Sequence, residues 1–216
     1  MLNIKVFTVN MVQENCYILS DETKEAVIID DGAYFPEEEK AIEQYILSEG
    51  LTPKHLILTH AHFDHIMGSG KVFEKYCLKA EMSNKDAYLY DMASLQAQSI
   101  IGRKLDFQTA PVGNFLKDSD KVEFGSHSLS VIETPGHTLG GVCFYCEAEK
   151  ILFSGDSLFQ QSIGRTDLKG GNMEMLIKSL KEKVLTLPEE TKVYPGHGSS
   201  TQIGYEKENN IYFKYI

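Results

Sequence analysis

Seven histidines occur in this 216-residue chain, and three of them fall within six consecutive positions, in Thr59-His60-Ala61-His62-Phe63-Asp64-His65. A short loop carrying three imidazoles and a carboxylate can aim several electron-pair donors at one point. Neutral imidazole and carboxylate are donor types suited to zinc, and a catalytic zinc keeps one position open for water. The competing reading is a solvated polar loop that happens to be rich in histidine. Three further candidates weigh against it: His137 in Thr134-Pro135-Gly136-His137-Thr138, Asp156 in Ser154-Gly155-Asp156, and His197 in Pro195-Gly196-His197-Gly198. Each follows a glycine, whose backbone can turn sharply and come close to a site. Any one of them alone would pass as a turn residue; jointly with the dense loop they form a donor set for metal.

In order and separation, His60-x-His62-x-Asp64-His65, His137, Asp156 and His197 resemble the ligand set of the metallo-β-lactamase superfamily. The segments Thr134-Pro135-Gly136-His137-Thr138, Gly155-Asp156-Ser157-Leu158-Phe159, Gly164-Arg165-Thr166-Asp167 and Tyr194-Pro195-Gly196-His197-Gly198 are similar to its glyoxalase II-like, or hydroxyacylglutathione hydrolase-like, branch. The resemblance covers essentially the whole chain and implies one domain over Met1–Ile216, a four-layer αββα sandwich of the α/β (α+β) class. It further implies two divalent ions, zinc first, with iron or manganese as alternatives. His60, His62 and His137 would hold one ion, Asp64, His65 and His197 the other, and Asp156 would bridge them.

A water shared between two cations loses its proton near neutral pH, which would make a bridging hydroxide the nucleophile, while one cation polarises the substrate carbonyl. Asp64 would orient that nucleophile and pass a proton to the leaving group. The expected activity is hydrolysis of a small thioester or ester. Glyoxalase II proper has an additional C-terminal helical region that helps to hold glutathione; little chain follows His197, so a short form is expected, and the thiol is left open. Arg165 sits where this branch places a basic residue near the substrate. It either meets a substrate carboxylate or braces its own loop by pairing with Asp167.

The persulfide dioxygenases of the same superfamily resemble this pattern too. They would use one non-haem iron on His60, His137 and Asp156, donors that suit iron with open positions. A β-lactamase fits less well, because the zinc enzymes of that kind seldom keep the Asp64-His65 pair together with Asp156. A diiron flavoprotein module would carry Glu in place of His62.

For donors from four distant stretches to meet, each must stand at the end of a strand. Apolar runs predict strands at Ile4–Val9, Cys16–Leu19, Ala26–Ile29 and His55–Leu58, then at Lys121–Phe124, Leu129–Glu133, Val142–Cys146, Ile151–Ser154 and Lys192–Tyr194. Helical spacing follows Pro36 and its three glutamates, covers Ile66–Leu78, recurs irregularly over Asn84–Ile101, and resumes after a cap at Asn172. Residues 102–117 lack a clear period and are read as an excursion over the site. Strands clustered in two halves, with helices in each, predict two sheets face to face with helices outside.

Composition narrows the rest. With 42% hydrophobic residues the chain can bury a core without disulfides, and its four cysteines read as thiols. Cys143-Phe144-Tyr145-Cys146 has the form of a redox dithiol, but inside a strand positions three apart point to opposite faces. Tyr205, Tyr212, Phe213 and Tyr215 are read as core packing. The net charge of −10 is spread along the chain and no basic run is present, which argues against nucleic acid as a partner. No signal-peptide pattern or apolar run of membrane-spanning length occurs, so a cytoplasmic protein acting on a small molecule is expected. Its oligomeric state is left open.

Overall fold

Side-chain alternation along the strands decides the layering. The first sheet of the computed structural model, which describes residues 1–214, contains β1 (Asn3–Val9), β2 (Glu14–Ser20), β3 (Glu25–Ile29), β4 (Thr52–Ile57), β5 (Ala80–Ser83) and β6 (Val112–Leu116), in that spatial order. One face of β2 to β4, with Cys16, Ile18, Ala26, Ile28 and Leu56, packs on Ile42 and Ile46 of α1 (Pro36–Ser48) and Val72 of α2 (Ser69–Tyr76). The alternate residues Tyr17, Leu19, Val27, Ile29 and Ile57 meet Leu129, Val131, Phe144 and Phe153 of a second sheet. Successive side chains on a strand face opposite ways, so strands apolar at every position must be covered on both sides.

The second sheet uses β7 (Lys121–Phe124), β8 (His127–Glu133), β9 (Val142–Cys146) and β10 (Ile151–Gly155). A small ribbon, β11 (Leu158–Phe159) with β12 (Ser162–Ile163), intervenes before β13 (Lys192–Pro195) and β14 (Thr201–Gln202) complete the sheet in the order β14-β13-β10-β9-β8-β7. Its outer face buries Cys143, Leu152 and Val193 under Leu176 and Leu180, and under Ile203 at the start of a C-terminal helix. The result is the expected αββα sandwich. Among the described residues no helix is long and apolar enough to cross a membrane.

The two thiols of Cys143-x-x-Cys146 separate as the strand period requires. Cys143 joins the outer cluster and Cys146 the inter-sheet core. Burial pushes the Cys143 thiol up to about 11, which leaves it an inert packing group. Tyr212 and Phe213 pack on the outer cluster, Tyr205 is partly exposed, and Tyr215 lies outside the described residues.

Three expectations need correction. The helix expected over Ile66–Leu78 is shorter, Ser69–Tyr76, because Phe63–His65 forms a 3-10 turn and the Gly68 amide bonds the Asp31 carbonyl. The helical stretch after Asn84 is broken at Met92 into α3 (Ala87–Asp91) and α4 (Ala93–Ile101). Residues 102–117 are no cover over the site: Leu105 and Phe107 pack with Phe63, Met67 and Ala97, and Val112–Leu116 is the edge strand β6.

The end of β3 holds a buried acid that the ligand pattern does not need. Burial pushes the Asp31 carboxyl up to about 7, offset only in part by the Ala33 amide that donates to it at 3.1 Å. An acid whose folded pKa is raised holds its proton longer when folded than when unfolded. Stability therefore falls as pH rises from the ordinary 3.8 through about 7. Asp31→Asn is expected to flatten this slope and to melt higher than the parent at alkaline pH but not at acid pH. Thermal melts across the range test it, and parallel pH profiles for the two proteins would contradict it.

Candidate metal centre

Two parallel strand pairs bring the donors together. In the register of β3 with β4, Ile29 lies opposite Ile57, so Asp30 and Thr59 leave the sheet side by side. Asp30 accepts from the Thr59 amide (2.7 Å) and hydroxyl (2.6 Å), which pins the start of the histidine loop. In the second sheet β10 runs parallel to β13 with Gly155 opposite Pro195, which sets Asp156 beside Gly196 and His197. The sheet edges are joined there: the Asn15 amide donates to the Gly196 carbonyl at 2.7 Å, and the Val142 amide to the Thr59 carbonyl at 2.8 Å. Glycine is required at two of these points. Gly155 has φ +48°, and a Cβ on Gly196 would stand 2.3 Å from Asp156 Oδ1 and 2.7 Å from His65 Cε1.

All seven sequence-predicted donors meet at this edge. One donor atom from each of His60, His62 and His137 lies within 4.8 Å of the others, and the same holds for Asp64, His65 and His197. Asp156 reaches both triads, with Oδ2 3.6 Å from His137 Nε2 and 3.7 Å from His197 Nε2, and Oδ1 3.5 Å from His65 Nε2. Asp30 also comes within 4.8 Å of donor atoms on His60 and His65. Its oxygens, however, are engaged by Thr59 and by His65 Nδ1 (3.0 Å), so it supports the donors from behind.

The hydrogen-bond network assigns the tautomers. His137 Nδ1 donates to the Arg165 carbonyl (2.7 Å), His65 Nδ1 to Asp30, and His197 Nδ1 to the Gln13 carbonyl (3.1 Å), which turns each Nε2 inward. The Thr59 hydroxyl, already donating to Asp30, accepts from His60 Nδ1 at 3.1 Å. His60 Nε2 then faces His62 Nδ1 at 3.1 Å. His65 Nε2, His137 Nε2 and Asp156 Oδ1 are buried with no hydrogen-bond partner. Buried polar atoms are almost always satisfied, and three orphans converging on one volume are what a cation would satisfy.

Protonation fits the same reading. Burial, reinforced by the neighbouring imidazoles, holds His60 well below the usual histidine range and brings His62 down to about 3. Burial pulls the Asp156 carboxyl upward, but His65, His137 and His197 outweigh it and keep it ionised. His65 is raised, because Asp156 and Asp64 overcome the burial that would lower it. The cluster thus offers ionised carboxylates and neutral imidazoles at His60 and His62, while Asp64 and Asp156 raise His65 and His197 against burial and favour protons there that an incoming cation would displace.

Several supporting residues had no sequence signal beyond that of a turn. In the sequence Asp30-Asp31-Gly32 is only a turn signal after a short apolar run. Asp86, buried between β5 and α3, accepts from the Ala61 amide (3.1 Å), the Thr138 hydroxyl (2.7 Å) and the Gly140 amide (2.6 Å), and so ties the histidine loop to the His137 loop. Asn10 donates to the Asp64 carbonyl at 2.9 Å. His55 and His127, outside the ligand pattern, are bound by Glu81 and by Asp21 with Glu149. Arg165 is paired with Asp167 through two bonds of 2.8 and 2.7 Å, and the residue lines the site cavity. That cavity has a volume of about 350 Å³, with Val12, Phe63, Phe159 and Leu168 as apolar walls above the donors.

The chain is similar to known proteins along most of its length. The chain matches the metallo-beta-lactamase superfamily over residues 9–197. It is 39% identical to a probable metallo-hydrolase, YqgX, of Bacillus subtilis, over 94% of this chain and 93% of that one. It is 35% identical to the hydroxyacylglutathione hydrolase GloC of Haemophilus influenzae, over 97% of each chain. Among solved structures it is similar to the BLEG-1 B3 metallo-beta-lactamase (TM-score 0.90, 38% identity, 98% of this chain and 100% of that one). It is also similar to TTHA1623 in a di-iron-bound form (TM-score 0.85, 36% identity, 96% and 99%). With its sandwich, its donor set and a match that runs from the end of β1 to His197, this chain belongs to the metallo-beta-lactamase superfamily.

Proposed function

We propose that this protein is a dinuclear hydrolase of small thioesters or esters, with His60, His62 and His137 on one ion, Asp64, His65 and His197 on the other, and Asp156 between them. The observation that carries the reading is the position of Asp156, within 3.5–3.7 Å of donor nitrogens from both triads. Two divalent ions, zinc first with iron or manganese as alternatives, would supply Lewis acidity, lowering the pKa of a shared water and polarising the acyl carbonyl. Asp64, whose Oδ2 accepts from His197 Nε2 at 3.1 Å, borders the cavity and is held ionised. It takes the proton of the attacking water and returns it to the departing sulfur or oxygen as the acyl bond breaks. Phe63 and Phe159 limit bulk water at the donors. Arg165, at the cavity wall, can exchange Asp167 for a substrate carboxylate, since an exposed pair of this kind contributes little stability.

The likeness to GloC supports a thioester. The likeness to a B3 metallo-beta-lactamase makes β-lactams the necessary comparison. Elemental analysis of protein isolated without added metal is expected to find two ions per chain. Assays with acyl-glutathione and other acyl thioesters, lactones and β-lactams are expected to show the thioesters turned over fastest. One iron per chain with oxygen consumption on a persulfide would replace this reading with a dioxygenase. No hydrolysis of any substrate with both ions bound would end it.

A further inference from the structure

Next to the donors lies a second cavity of about 320 Å³ that the reaction above does not use. Leu89, Met92, Leu95, Ile100 and Leu168 line it, and its inner end is His62. His62, Ile100 and Leu168 border both cavities, so this groove between α3–α4 and the Arg165 loop opens onto the ligand set. Its walls are mainly apolar. Lys169, the one basic side chain lining it, has its ammonium 5.5 Å from the centre of the Tyr88 ring. Met92, Leu95 and Ile100 are 39%, 59% and 41% exposed, an apolar surface left open where the rest of α4 is anchored by Ala93 and Ala97.

From this geometry, and resting on the hydrolase reading, we infer that the groove receives the unbranched aliphatic acyl chain of the substrate, making medium-chain acyl thioesters or esters the preferred class. A carbonyl held at the donors has two ways to extend. The Arg165 side offers a guanidinium to a polar leaving group, and the α4 side offers mainly apolar walls. Apolar surface removed from water on both partners supplies the selectivity.

The test uses the metal-loaded protein and acyl-N-acetylcysteamine thioesters from acetyl to octanoyl. In the parent, kcat/KM is expected to rise about fourfold for each methylene that enters the groove, until it is filled. Leu95→Asp and Ser99→Phe, both at exposed positions on α4 that line the groove, are expected to flatten the octanoyl-to-acetyl ratio toward one. Leu47→Asp, at an 82% exposed site on α1, is the control and should leave the ratio as it was. Calorimetric binding of octanoate against acetate gives a second readout without turnover. Preferential octanoate binding that is lost in Leu95→Asp, with no thioester hydrolysed, would retain the groove and reject the hydrolase. Hydrolysis with no chain-length preference would retain the hydrolase and reject the groove. A change of oligomeric mass in Leu95→Asp with an unchanged ratio would assign this face to contact between copies and also overturn the inference.

Discussion

Asp156→Asn is expected to lower the metal content to one ion or fewer per chain and to reduce hydrolysis by more than a hundredfold. Loss of a mere supporting partner costs about 10- to 100-fold in metal affinity or activity. Asp156 is more than that, because one of its oxygens faces His65 and the other faces His137 and His197. Asparagine keeps the shape but removes the charge and puts an amide group where one oxygen stood. On the proposed dinuclear reading, the remaining imidazoles would then share two cations with one carboxylate fewer, and the two triads would lose the group between them. Inductively coupled plasma analysis of the variant beside the parent, followed by kinetics at matched metal, measures both effects. Two tightly held ions in Asp156→Asn would show that Asp156 is a neighbour of the centre and not part of it.

Asp86→Ala carries the second large effect, and it acts first on stability. The Asp86 carboxylate accepts three buried donors from two separate loops, the Ala61 amide, the Thr138 hydroxyl and the Gly140 amide. Each buried donor left unpaired costs about 1–3 kcal/mol, so truncation is expected to remove several kcal/mol. That is a large share of the roughly 5–15 kcal/mol that holds a domain of ordinary stability. The same cut frees the loop of His60 and His62 from the loop of His137, so metal affinity should fall together with the urea midpoint. Asp86→Asn, which keeps one acceptor oxygen, should lie between the two. Unfolding curves and metal titrations of both variants test this, and a truncated protein as stable as the parent would contradict it.

The seven residues that converge could be picked out along the chain because metal chemistry restricts residue type, and because glycine marks the turns from which His137, Asp156 and His197 project. Most strands were legible for a similar reason: β3, β9 and β10 are apolar at strand length with few interruptions, and β2, β4 and β8 contain shorter apolar or alternating runs. Five strands were not, and three of them, β11, β12 and β14, have only two residues each. β5 is only Ala80–Ser83, and β6 is an edge strand whose Gly113, Asn114 and Phe115 are exposed, so neither shows an alternation strong enough to separate it from loop. Arg165 illustrates a choice that sequence left open. Its pairing with Asp167, two residues on, is a matter of local backbone shape, and only coordinates supply that.

The supporting acids divide the two kinds of knowledge most clearly. Which residues could bind a cation is a property of side-chain chemistry and is already present in the one-dimensional string. Which acids hold those residues in place is a property of strand register. Asp30 acts on Thr59 and His65 because β3 and β4 run parallel with Ile29 opposite Ile57. Asp86 bridges loops from different sheets only after the sandwich has closed. Hydrogen bonds between residues remote in sequence leave no period and no motif along the chain, so the tertiary structure alone decides them.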